Sequence, residues 1–203
     1  MNHTTGTKIQ RMVGTAILAA IVVVLQLVVG SIKIGPVSFT LSLVPIVIGA
    51  AVYGTAVGGI LGGVFGLIVF IGCANGTDFG GNILFTANPF LCFLTCMVKG
   101  CASGLSAGLV YRLCSKKANR LGAQTLATIP AAVIAPIVNT GLFCAAMVLF
   151  FNDTLLTWAG DKPVVSYMLF SLAGINFVIE MAINLVLSPG IATAIRVIRK
   201  SRT

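Results

Sequence analysis

The sequence predicts an all-α integral membrane protein, six transmembrane helices in one compact bundle over residues 1–203, and three observations predict it. The first is composition: 58% of the residues are hydrophobic and only 8% charged, with a mean hydropathy of +1.07. A water-soluble fold built from that composition would expose more apolar surface than water tolerates. The second is that the apolar residues fall in long runs, as a crossing of the hydrocarbon core by about 20 residues demands. The third is charge sorting. Ten of the thirteen Lys and Arg lie in three clusters, Lys8 and Arg11; Arg112, Lys116, Lys117 and Arg120; Arg196, Arg199, Lys200 and Arg202. None of these clusters contains an acidic residue, whereas Asp78, Asp153 and Asp161 lie in the polar segments between other runs. Basic residues are retained on the cytoplasmic side, so both termini are expected there and the number of spans is expected to be even. The net charge of +9 is thereby assigned to the inner-leaflet headgroups, and no nucleic-acid role is expected.

The first span is expected at 12–30. Its apolar run is too long for the core of a signal peptide and is not followed by a small-x-small cleavage site, so it is expected to be retained. Polar and Gly/Pro breaks separate it from spans at 39–53 and 57–73, which are short and joined only by Gly54, Thr55 and Ala56. Pro45 gives the second span a place to bend. The fourth, fifth and sixth spans are expected at 88–113, 124–151 and 166–195. Loops at 31–38, 74–87 and 152–165 carry Gly, Asn, Asp and Thr and are expected on the outer face, where a ligand would arrive. The stretch from Asn75 to Gly81 has the composition of a hinged lid. Two stripes of small residues, Gly58/Gly62/Gly66 and Gly100/Gly104/Gly108, are expected to pack helices closely inside the bundle, and Ala16 and Ala20 with Ala19 beside them form a third small face.

Two ionisable side chains fall deep inside the expected spans, Lys99 and Glu180. Each costs about 2.5–3.5 kcal/mol on insertion scales, so each needs a reason to be there. Asn176, Glu180 and Asn184 recur every four residues and share one helical face, and Asn139 adds a polar group in the fifth span. Two readings follow: Lys99 and Glu180 neutralise each other, or they belong to a polar pocket. In the second, Lys99 holds a carboxylate or other anion while Glu180 and the amides of Asn139, Asn176 and Asn184 bond hydroxyls or amides. The two are compatible.

Catalysis is not expected. The single His, His3, lies in the N-terminal tail without a partner, and no phosphate loop is present to hydrolyse nucleotide. Cys92 and Cys96 stand four apart with Cys101 nearby, but lacking a His or a Cys-x-x-Cys pair they read as small buried hydrophobes, and neither metal nor cofactor is expected. A proton-coupled carrier or channel acting alone, with Glu180 as its proton relay, is the alternative from another class. Such carriers usually carry two related halves, and no internal repeat is visible here.

In order along the chain, the segments Thr15–Ala20, Ile34–Ser38, Leu43–Ala50, the Gly-rich Tyr53–Gly66, Lys99–Arg112, Asn139–Thr140 and Gly174–Pro189 resemble the substrate-binding S components of energy-coupling factor (ECF) vitamin transporters. The Ile34–Gly35–Pro36 loop, the Asn139–Thr140 pair and the Asn176/Glu180 spacing resemble the pantothenate type most closely. The resemblance implies a six-helix subunit in the cell membrane that captures a vitamin from outside. Pantothenate is favoured, with riboflavin, folate or another vitamin as alternatives. It also implies partners, a transmembrane coupling subunit docked on the face of Ala16, Ala19 and Ala20 and two cytoplasmic ATPases, and a toppling motion that releases the substrate inside.

Overall fold

The computed structural model describes residues 3–29, 33–34, 37–38, 41–116, 127–168, 170 and 174–200. These are almost entirely helical. In chain order they form α1 (His3–Val29), a two-residue antiparallel ladder of β1 (Lys33–Ile34) and β2 (Val37–Ser38), α2 (Leu43–Tyr53), α3 (Thr55–Ala74), α4 (Phe79–Ala87), α5 (Pro89–Lys116), α6 (Thr128–Phe150), α7 (Asn152–Ala159), α8 (Val164–Tyr167) and α9 (Gly174–Lys200). Four of them, α1, α3, α5 and α6, contain stretches long and apolar enough to cross a membrane. The apolar helix α2 and the apolar portion of α9, Phe177–Ile191, are shorter.

The second span starts later than expected, at Leu43. Pro45 therefore falls in the first turn of α2, where its missing N–H removes no helical hydrogen bond, and it does not bend the helix. At the other end of α2 the chain reverses directly into α3 through Gly54, whose φ of +101° lies in the region that only glycine enters freely. Its N–H closes α2 by donating to the Ala50 carbonyl at 3.1 Å.

The most extensive helix contact is between α3 and α5, and it is made by the two glycine stripes. A Cβ on Gly58 would strike the Gly104 carbonyl oxygen, one on Gly62 the Gly100 carbonyl oxygen, and one on Gly66 the Cys96 carbonyl oxygen. Backbone thus lies against backbone over more than two helical turns, which dispersion between apolar helices requires when lipid supplies no hydrophobic drive. Helix α1 lies against α2 and α3. It buries Leu18 and Val22, and the Ser42 hydroxyl at the head of α2 donates to Gln26 Oε1 at 3.0 Å. Ser103 on α5 donates to the Ala135 carbonyl of α6 at 2.9 Å. In α9, Pro189 cannot donate to the Leu185 carbonyl four residues earlier, and the Ser188 hydroxyl does so at 2.8 Å instead.

The segments expected as loops at 74–87 and 152–165 are largely helical. Asp78 caps α4 by accepting the Gly81 N–H at 3.1 Å, and the Asn82 amide donates to the Cys73 carbonyl at the end of α3 at 2.9 Å. Asn88 then caps α5, accepting the Leu91 N–H at 3.1 Å, with Pro89 in the first helical position that proline favours. Helices α4 and α7 have nine and eight residues, too short to cross a membrane. They sit over the end of the bundle where α3 and α6 finish and α5 begins, opposite the end that carries Arg112 and Lys116.

Candidate functional site

At the end of the bundle under α4 and α7 lies a small, partly open cavity. Helix α5 supplies one wall with Cys92, Thr95, Cys96 and Lys99. These four stand at i, i+3, i+4 and i+7, so a single helical face points into the space. Val69 and Cys73 of α3, Phe143 of α6 and Trp158 of α7 close the sides, and Asp78, Gly80, Gly81 and Leu84 form the rim at the head of α4. The walls are mostly apolar with a few convergent polar groups, the usual constitution of a small-molecule site.

Two polar groups in this cavity stand out. The Lys99 ammonium lies 5.0 Å from the centroid of the Phe143 ring, and among the described residues it has no carboxylate within ion-pair distance. An aromatic face offers a cation about 0.5–2 kcal/mol, well short of what a carboxylate offers in the same surroundings. Thr95 is 8% exposed, and its hydroxyl has no hydrogen-bond partner among the described residues. A buried hydroxyl left in that state costs about 1–3 kcal/mol, which a ligand oxygen or N–H would recover. The Asp78 carboxylate is already engaged with the Gly81 N–H, but its second oxygen can still accept.

Of the residues expected to bind substrate, the structure places Lys99 in this cavity and Asn139, Glu180 and Asn184 elsewhere. Asn139 lies buried on α6; Glu180 and Asn184 lie buried on α9, which packs against α6. The Asn184 amide donates to the Glu180 carbonyl of its own helix at 2.9 Å, while the side-chain oxygens of Asn139 and Asn184 have no hydrogen-bond partner among the described residues. None of the three lines the cavity. Asn176 falls on α9, and its side chain lies outside the described residues. Thr95, Cys73 and Trp158 carry no mark as site residues in the sequence, and Asp78 is marked only as an acid of the Asn75–Gly81 stretch. For Thr95 a signal existed in its helical spacing from Lys99; for the other three the neighbourhood is made by tertiary contact.

Comparison with known protein families matches residues 10–192 to the ECF transporter, substrate-specific component. The chain belongs to that family. It is a substrate-binding subunit of an ECF transporter and a multi-pass membrane protein, and the family acts together with a coupling subunit and ATPases. A carrier working alone, the alternative raised by Glu180, is not what this family is. A comparison with curated proteins found no significant match.

Helix α1 turns one face away from the rest of the bundle. Ala16 and Ala20 are exposed on it, alongside the exposed Ile17 and Val24. Ala19 is half-buried and packs on the cluster formed by Leu18, Val22, Leu43, Ile46 and Leu61, so it faces inward more than its two neighbours do.

Proposed function

We propose that this S component crosses the membrane six times, with both termini in the cytoplasm, and captures a small carboxylate-bearing vitamin of the pantothenate kind in the cavity beneath α4 and α7. The observation that carries the proposal is the Lys99 ammonium in that cavity, facing an aromatic ring instead of a carboxylate. A substrate carboxylate would complete it. The Thr95 hydroxyl would bond a second polar group, Asp78 would accept from a hydroxyl or amide N–H at the rim, and Phe143 and Trp158 would cover the hydrocarbon of the ligand. Pantothenate has this distribution: a carboxylate at one end, an amide in the middle and hydroxyls at the other. Asn139 of α6 and Glu180 and Asn184 of α9 enter the proposal as a polar layer outside this contact set.

The basic clusters support the orientation. Arg112 and Lys116 end α5, so the cavity at the opposite end faces outward under the positive-inside rule. Helices α4 and α7 would then act as its covers. On the other side of the bundle, Ala16 and Ala20 provide a low, exposed face for a helix of the coupling subunit.

Calorimetric titration of the purified, ligand-free chain with pantothenate tests the reading. One site per chain is expected, with riboflavin and folate failing to compete. Absence of heat with pantothenate, together with saturable binding of a neutral vitamin, would refute the carboxylate assignment.

A further inference from the structure

Three cysteines from two helices meet in the wall of the same cavity. Cys73 near the end of α3 and Cys92 and Cys96 on α5 are all buried, at 3%, 2% and 5% exposure, and their sulfur atoms lie within 4.8 Å of one another. None is in a disulfide. We infer that these three sulfurs form a binding site for one thiophilic metal cation of the d¹⁰ type, such as Zn²⁺, Cd²⁺ or Cu⁺. The inference does not rest on the substrate reading.

The geometry is close to what such a cation needs. At metal–sulfur bonds of about 2.3 Å, sulfurs around one ion stand about 3.8–4.0 Å apart, so side-chain rotation of less than 1 Å draws the trio into place. The donor set is sulfur alone, which selects soft cations over Mg²⁺ or Ca²⁺. All three cysteines line the cavity, which gives the ion a way in. Gly81 makes the arrangement possible: a Cβ there would strike the Cys73 sulfur, and the Cys92 thiol reaches the Gly81 carbonyl at 4.0 Å.

Charge points the same way. Binding releases one proton per coordinating thiol, up to three, to solvent. A divalent ion with three thiolates carries one net negative charge, which an apolar wall would not tolerate alone. Lys99, one turn beyond Cys96 on the same face of α5, is a basic side chain lining the same cavity.

The test uses the full chain in detergent, reduced and stripped of metal, with Cd²⁺ as the probe. One equivalent is expected to bind, with a thiolate-to-cadmium absorption band, and X-ray absorption is expected to show three sulfur neighbours. Cys73→Ser, Cys92→Ser and Cys96→Ser should each weaken binding by about 100-fold or more, while Cys101→Ser, Cys114→Ser and Cys144→Ser leave it unchanged. A first shell of oxygen or nitrogen in the unaltered chain, or binding that survives Cys73→Ser, would overturn the site. Pantothenate titration of the same metal-free preparation reports separately on the substrate reading, since the three thiols are not asked to hold the vitamin.

Discussion

The packing of α3 on α5 makes a sharp prediction, because one substitution should have opposite signs at two glycines in similar helices. Gly62 faces Gly100 so closely that an added Cβ would strike the Gly100 carbonyl and lie 3.2 Å from Cys101 Cα. Gly141, in the middle of α6, has nothing within 4 Å of where its Cβ would stand. Gly→Ala relieves each helix of glycine's conformational entropy, a gain of about 0.5–1 kcal/mol that the two sites share. Only Gly62→Ala must also push two backbones apart, and neither side can yield by a rotamer change. Overpacking of that kind costs about 1–3 kcal/mol. The entropy gain cancels in the comparison, so Gly141→Ala should exceed Gly62→Ala in stability by about 1–3 kcal/mol. On the scale of soluble chains of 150–250 residues, 1 kcal/mol moves the midpoint by about 2–4 °C, which places the difference at about 2–12 °C in a thermal melt of the detergent-solubilised chain. Midpoints for the two variants within about 1 °C of each other would refute the backbone contact and the reasoning built on it.

Lys99→Ala should weaken pantothenate binding by roughly 2–4 kcal/mol in calorimetry, the cost of leaving a buried carboxylate unpaired, with Lys99→Arg retaining much of the affinity. Glu180→Gln should leave that affinity nearly intact; an equal loss would extend the contact set to α9. Ala16→Trp or Ala20→Trp should abolish uptake in cells carrying the whole transporter while sparing vitamin binding by the isolated subunit, and loss of binding in the isolated chain would place these alanines inside the bundle. In intact cells a membrane-impermeant amine reagent should label the exposed Lys162 and spare the exposed Lys116; the reverse pattern would invert the orientation.

Much of the helical scaffold was legible because a membrane simplifies the reading. Apolar length marks helices when no water is present to satisfy an open backbone, and glycines spaced by four marked a contact face before its partner was known. The short helices were not legible. Residues 79–87 contain Gly80, Gly81 and Asn82 and read as a loop by composition, yet Asp78 caps them and Leu84 is buried beneath them. A nine-residue helix draws its stability from such tertiary contact more than from propensity, and a single sequence does not display tertiary contact. Pro45 misled for a related reason: its effect depends on where the helix starts, and boundaries are the weakest part of a periodicity argument.

The cavity was half legible, and the reason lies in what the cost of burying charge can and cannot report. That cost marks Lys99 and Glu180 equally as residues that need surroundings, without saying that they need the same surroundings. The structure separates them. Asn184 donates an amide N–H to the Glu180 carbonyl of its own helix, so the four-residue spacing that suggested a shared ligand face also serves a local bond along α9. On α5 the spacing of Cys92, Thr95, Cys96 and Lys99 does build a single surface facing the cavity, and what distinguishes the two cases is the opposite wall. Gly66 brings α3 against the Cys96 carbonyl, so the seam of glycines ends where the cavity begins. Above that point α3 and α5 carry Cys73 and Cys92 in place of glycine contacts. The same close approach that holds the two helices together thus fixes the distance across which Cys73 of α3 faces the Thr95 and Lys99 wall of α5. It makes the glycine stripes, bland by composition, part of what positions the site.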